Sequence, residues 1–385
     1  MHPSAGGPPV VVDHWCAELQ RRSCEVEVLT TNAYATTGDT SWEVHYRSAY
    51  PITVLSSCGP RGYGYSRRMS ALLRRKLRSC DLVHVHNVWS CCNRLAAVHC
   101  VAAGVPFVVS THGMLDPHSM GRKPWKKQVY GRFVEFPALR KAAAVIFTHQ
   151  EEERLARITC ARLPTGHVVS LGTEEPPSEN RAQLTDSFLT RFPQLQDSER
   201  IVFLGRLHSK KGLDLLVPAF AEVAKHRSNV KLILAGPGDD SYRKSLIELS
   251  KSLHIQDRVC FTGALSGQDK WAALAAADVY VLPSYQENFV ISLVEALRVE
   301  TPVVCSRRVN IWSDLKAADA VSVCELSTES VAKSILGLLQ NPGHASDQGK
   351  RGANFAAANY TWTRSVDRLV EVYDNVVGLR ERRPT

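Results

Sequence analysis

The chain has 385 residues, 44% hydrophobic and 22% charged, enough to bury two ordinary cores and too mixed for a fibrous or largely disordered protein. Its formal charge of +9 suits an anionic ligand, an acidic membrane surface or nucleic acid without choosing among them. No apolar run is long enough to span a bilayer, and MHPSAGGPPVVVDHWC lacks both the basic and the apolar region of a cleavable signal, so the sequence predicts a cytoplasmic chain.

In chain order, Gly6-Gly7-Pro8-Pro9 reads as a turn, followed by a helix over Val10–Gln20 and a strand over Val26–Thr30. Strands at Leu82–His86, Phe107–Ser110, Val145–Thr148 and Val168–Leu171 then alternate with helices over Cys92–Ala103 and Gln150–Ile158. The polar stretch TEEPPSENRAQLTDSF after Gly172 reads as a linker. Beyond it the alternation restarts: strands at Ile201–Gly205, Val230–Ala235, Val259–Phe261, Val279–Leu282, Val303–Cys305 and Ala320–Val323, with helices between. Helices over Thr328–Leu339, Gln348–Asn359 and Thr363–Val377 close the chain. The pattern predicts an α/β fold of two doubly wound parallel sheets facing each other across a cleft. The expected domains are 1–181, 182–362 and a C-terminal helix and tail, 363–385, that packs back on the first. The 11 cysteines are an odd count and read as free thiols; Cys91, Cys92 and His99 lack a full tetrahedral set, so no metal is implied.

Five segments carry chemistry. GRLHSKKGLDLL places Arg206 and Lys211 between a strand and a helix mouth, where backbone N–H groups and cations collect a pyrophosphate; a solvated basic turn is the plainer reading. AGPGDD, with Gly236, and FTGALSG, with Gly263, are glycine turns at strand ends, and neither is the dinucleotide fingerprint. PSYQENFVISLVEALRVETPVV sets Glu287 in a loop and Glu295 on the following helix, two carboxylates suited to sugar and ribose hydroxyls or, read singly, two surface charges. On the first half, VSTHGMLDP puts His112 directly after a strand, facing a ligand or satisfied by its own loop. Two basic clusters, Arg61–Arg78 and Arg122–Arg132, are interleaved with apolar side chains and fit an anionic leaflet or a solvated face. No recognition module accompanies them, so nucleic acid is disfavoured.

The ordered set GGPP, HVHNVW, THGMLDP, GRLHSKKGLD, AGPGDD, FTG and the E-x7-E pair resembles the retaining glycosyltransferases of family 4, with GT-B architecture, over nearly the whole chain. The resemblance implies hexose transfer from a nucleotide-sugar (UDP-, GDP- or ADP-linked) to an acceptor hydroxyl, with no cofactor and no metal. It assigns Arg206 and Lys211 to the donor diphosphate, Glu287 to the transferred sugar, Glu295 to the ribose and His112 to the donor sugar near the reacting centre, with Asn288 and Phe289 among the residues that bind the donor. Gly6, Gly7, Gly236 and Gly263 become close-approach turns. HGMLDP and VNIW are most like members that build exopolysaccharide, O-antigen or capsule on a polyprenyl-diphosphate acceptor, on the cytoplasmic face of a membrane. Three features depart from the family: Gly6 follows only five residues, which predicts that the central strand of the first sheet is missing; Val290 and Glu300 stand where the family has glycines. These departures make a catalytically impaired binding or assembly protein the second reading; a nucleotide-sugar 2-epimerase is the third.

Overall fold

A computed structural model of the chain describes residues 7–34, 50–58, 60, 62–121 and 124–381. The chain divides into two units: the described residues up to Leu171 together with those from Trp362 onward, and Gly172–Thr361 between them.

In the first unit β1 (Val28–Thr31) pairs in parallel with β2 (Ile52–Leu55), and a separate parallel sheet holds β3 (Val83–His86), β4 (Phe107–Ser110), β5 (Ala144–Phe147) and β6 (Gly166–Val168) in that order. Among the described residues β1 pairs only with β2 and β3 only with β4, so no ladder joins the two sheets. The apolar runs of β4 and β5 are wholly buried, as parallel strands covered on both faces require. Phe107, Val109, Val145 and Phe147 pack against Ala97 and Cys100 of the helix Cys91–Ala103 and against Met69 and Leu73 of the helix Met69–Lys76.

That last contact bears on the two readings of the first basic cluster. The basic helix of the Arg61–Arg78 cluster turns Met69, Leu73 and Leu77 into its own unit, not toward lipid, while Arg67, Arg68, Arg74, Arg75 and Arg78 remain exposed. Arg61, and Arg122 and Lys123 of the second cluster, lie outside the described residues, as does Gly6. Gly7 is not in a turn: it opens the helix Gly7–Arg21, and open space surrounds the position of a Cβ there.

The helix Trp362–Glu381 belongs to the first unit. Trp15 Nε1 donates to Ser365 Oγ at 2.9 Å, His14 stacks on Trp362, and His84 Nδ1 lies 2.6 Å from Tyr373 Oη.

The second unit carries β7 (Glu199–Leu204), β8 (Val230–Ala235), β9 (Val259–Gly263), β10 (Val279–Leu282), β11 (Val303–Ser306) and β12 (Ser322–Cys324) in one parallel sheet. Their order is β12-β11-β10-β7-β8-β9. Strand order reverses between β7 and β10, and such a switch point opens a crevice at the carboxyl ends of the two strands. This unit begins at Gly172, ahead of the expected 181/182 boundary. The polar linker contains a helix, Arg181–Arg191, started by a reciprocal Asn180–Gln183 capping box and anchored by buried Leu184 and Phe188.

Candidate active site

At the switch point of the second unit three glycine turns are tied in series. Gly205 N–H donates to Ala235 O at 2.9 Å, Leu207 N–H to Pro237 O at 2.7 Å, and Gly236 N–H to Gly263 O at 2.7 Å. A Cβ on Gly236 would lie 2.0 Å from Gly205 O, and one on Gly212 2.0 Å from Pro283 O, and Gly212 also holds φ +70°. Both positions therefore demand glycine, and the turns seen separately in the sequence form one backbone surface.

Arg206 leaves this surface into solvent, while Lys211 reaches across to the loop after β10, where its Nζ forms an ion pair with Glu287 Oε1 at 2.9 Å. Glu287 is pinned through its backbone, donating to Arg308 O at 2.8 Å and accepting from Asn310 N–H at 2.9 Å. The Asn310 side chain donates to Asn288 Oδ1, and Phe289 meets the Tyr360 ring edge-on. Val290 sits at φ −120°, ordinary extended backbone, and caps the helix Ile291–Arg298, so valine imposes no strain there. Glu300 does hold the left-handed backbone that glycine favours, at φ +59°.

Glu295, 3% exposed, shares its carboxylate with Lys270 at 2.6 Å, and Lys270 also bonds Glu174 at 2.8 Å. Burial raises the Glu295 pKa and the Lys270 charge opposes that rise. Sequence reasoning missed Lys270, which lies in a helix with no motif of its own.

In the first unit His112 follows β4 at φ +48° and packs into a row of rings with His86 and His84, the latter two stacked at 4.0 Å. His86 Nδ1 lies 3.1 Å from His112 Nε2, and His84 Nε2 2.8 Å from Ser110 Oγ. Burial holds all three imidazoles neutral: it lowers the pKa of His84 to about 3 and of His112 to about 4, and that of His86 well below the ordinary value, with neighbouring imidazoles adding to the effect on His84 and His86.

Residues 189–355 match the family described as glycosyl transferases group 1, and residues 6–172 match the glycosyl transferase 4-like domain. The alpha-D-kanosaminyltransferase of Streptomyces kanamyceticus is 25% identical over 71% of this chain and 71% of its own. The D-inositol 3-phosphate glycosyltransferase of Kineococcus radiotolerans is 26% identical over 97% of this chain and 91% of its own. HepE of Anabaena, solved in complex with UDP-glucose, superposes with a TM-score of 0.75 at 17% identity, covering 96% of both chains.

The protein is a GT-B glycosyltransferase. It is related to the group 1 and family 4-like enzymes, and its general reaction is transfer of a sugar from a nucleotide-sugar donor. Among the described residues of this glycosyltransferase no group of three or more His, Cys, Asp or Glu is placed to hold a metal, and no helix is long and apolar enough to cross a membrane. The second basic cluster differs from the first: Trp125, Val129 and Phe133, four residues apart, are 66%, 54% and 71% exposed, with Lys126 lying over the Trp125 ring.

Proposed function

We propose that the glycosyltransferase moves a hexose, with retention of configuration, from a nucleotide-sugar to a hydroxyl of a glycan or a polyprenyl-diphosphate-linked saccharide in cell-surface polysaccharide synthesis. The observation that carries this reading is the Lys211–Glu287 ion pair at the switch point, beside the fused glycine turns. There the cations of Arg206 and Lys211 offset the charge that grows on a departing diphosphate, so the reaction needs no metal. Glu287 accepts from hydroxyls of the transferred sugar and Glu295 from the ribose diol; Gly236 and Gly263 let the backbone approach the donor. His112 serves the donor sugar from the first unit. The acceptor proton passes to a departing phosphate oxygen on the face that the new bond occupies, which retains the anomeric configuration.

The test is a panel of UDP-, GDP- and ADP-sugars offered with polyprenyl-diphosphate acceptors, the anomeric configuration of the product being read by NMR. Transfer with retention is expected; folded protein that neither binds a donor nor transfers sugar overturns the reading, and donor binding without turnover would favour the impaired form.

The partner surface of this reading is an anionic leaflet on the cytoplasmic face, met by Trp125, Val129 and Phe133 with Lys126 and Arg132 at their flank. Exposed aromatic and aliphatic side chains at this spacing enter the acyl boundary while the cations meet headgroups.

A further inference from the structure

The loop that carries His112 is held by a side chain to which neither the family resemblance nor the donor site assigns a role. Glu152 lies in the first turn of the helix Gln150–Thr159, between Glu151 and Glu153, and is 2% exposed. Its Oε1 accepts from Thr111 Oγ1 at 2.7 Å and from Gly113 N–H at 2.6 Å, the two neighbours of His112. Its Oε2 accepts from Thr148 N–H at 2.7 Å and Thr148 Oγ1 at 3.0 Å. One buried carboxylate thus spends both oxygens on four donors and joins the end of β4 to the end of β5.

An unpaired buried carboxylate is costly, and one that accepts four hydrogen bonds, two of them from backbone N–H groups, is held tightly in place. Here the held segment is three residues long and its middle residue sits at φ +48°, a left-handed conformation uncommon for residues other than glycine. The His86 contact then occupies His112 Nε2, leaving Nδ1 as the ring nitrogen not used by the protein in this pair.

We propose that Glu152 is a positioning residue for His112: it clamps Thr111 and Gly113 so that the imidazole is presented in one orientation to the reacting sugar. The inference rests on the reading of His112 given above. Glutamate is suited to the task because a single side chain reaches both strand ends; aspartate is one methylene too short to keep both sets of donors.

The experiment compares Glu152→Asp, Glu152→Ala and His112→Ala by UDP release from UDP-glucose, UDP affinity by calorimetry and thermal unfolding. Turnover of Glu152→Asp should fall roughly tenfold to a hundredfold with UDP affinity unchanged, since the proposed nucleotide site lies in the other unit. Glu152→Ala should fall at least as far if it folds, and Glu152→Asp, which keeps charge and most of the volume, decides the matter if it does not. Normal turnover in Glu152→Asp alongside a crippled His112→Ala overturns the clamp and leaves the reading of His112 standing. Normal turnover in His112→Ala overturns that reading, and the clamp with it. Equal loss of UDP affinity and turnover in Glu152→Asp shows a general structural role and also overturns the proposal.

Discussion

The sheets of the two units are parallel and of similar strand length, yet they bury different chemistry. In the second unit β8, β10 and β11 contribute Leu232, Ile233, Val281 and Val304, all fully buried, to one continuous apolar core. In the first, β3 carries the half-buried, stacked His84 and His86, β4 ends on buried Ser110 with buried Thr111 after it, and Thr111 donates to buried Glu152. A sheet whose strands pack chiefly on apolar contacts answers to volume. A sheet that carries neutral imidazoles and a four-donor carboxylate answers to protons as well.

Four outcomes would break or sharpen that contrast. The largest is expected where the second unit stops being apolar. Replacing Glu287 or Lys211 by alanine should lower sugar transfer roughly a hundredfold or more, because each removes charge aimed at the reacting groups. Each change also leaves the partner charge unpaired, 11% exposed on Glu287 and 18% on Lys211, so the thermal midpoint should fall somewhat while the folded state is kept. Parallel loss of folded protein would show that the pair is structural.

Next comes volume. Ile233→Ala should destabilise the second unit by about 2–5 kcal/mol in denaturant titration. Ile52→Ala, in the half-buried β2 of the first unit, should cost markedly less. Equal costs would erase the difference between the cores.

The third is acidification. The three histidines have folded pKa values below their ordinary 6.5, so the unfolded chain binds more protons. Their stabilising contribution is complete above about pH 6.5 and is lost as pH falls toward about 4. Glu135 works in the opposite sense. Burial raises it to about 7 from an ordinary 4.5, against the Trp89 amide and the Arg94 charge, so its contribution is lost as pH rises through that window. Three groups outweigh one, and hydrogen exchange should therefore open the first unit before the second as the pH falls from about 6.5 to about 5. Glu135→Gln should steepen that loss. Simultaneous opening of both units would contradict the assignment.

The smallest effect belongs to the surface. Trp125→Ala with Phe133→Ala should reduce flotation with phosphatidylglycerol vesicles, while neutral substitutions at Arg74, Arg75 and Arg78 should change it less and leave stability within about 0.5 kcal/mol. The reverse ranking would return the leaflet to the first basic cluster.

Most strands were legible because parallel strands covered on both faces are short apolar runs: Phe107–Ser110, Val230–Ala235 and Val279–Leu282 fall where the residues put them. The half-buried β2, Ile52–Leu55, was not, for four residues without a flanking periodic pattern carry too little signal. The helix Arg181–Arg191 hid in a charged, proline-bordered stretch, although its capping box and the Leu184–Phe188 spacing announce it. At the site, residue types and glycine turns could be read from the sequence, but partnership could not. Nothing local says that Lys270 meets Glu295, and Glu152 looks like one of three solvated charges at a helix start, where acidic residues are favoured anyway.

The return of the helix Trp362–Glu381 to the first unit has a consequence for the order of events during synthesis. Trp15 waits for Ser365 and His84 for Tyr373, partners made hundreds of residues later, whereas every strand of the second unit has emerged before that helix is made. The second unit is therefore free to fold first, and the row of histidines is sealed only once the helix Trp362–Glu381 has emerged. A chain ending at Thr361 and tethered to the ribosome by a linker long enough to clear the exit tunnel should carry a protease-resistant second unit and a first unit still open to cleavage.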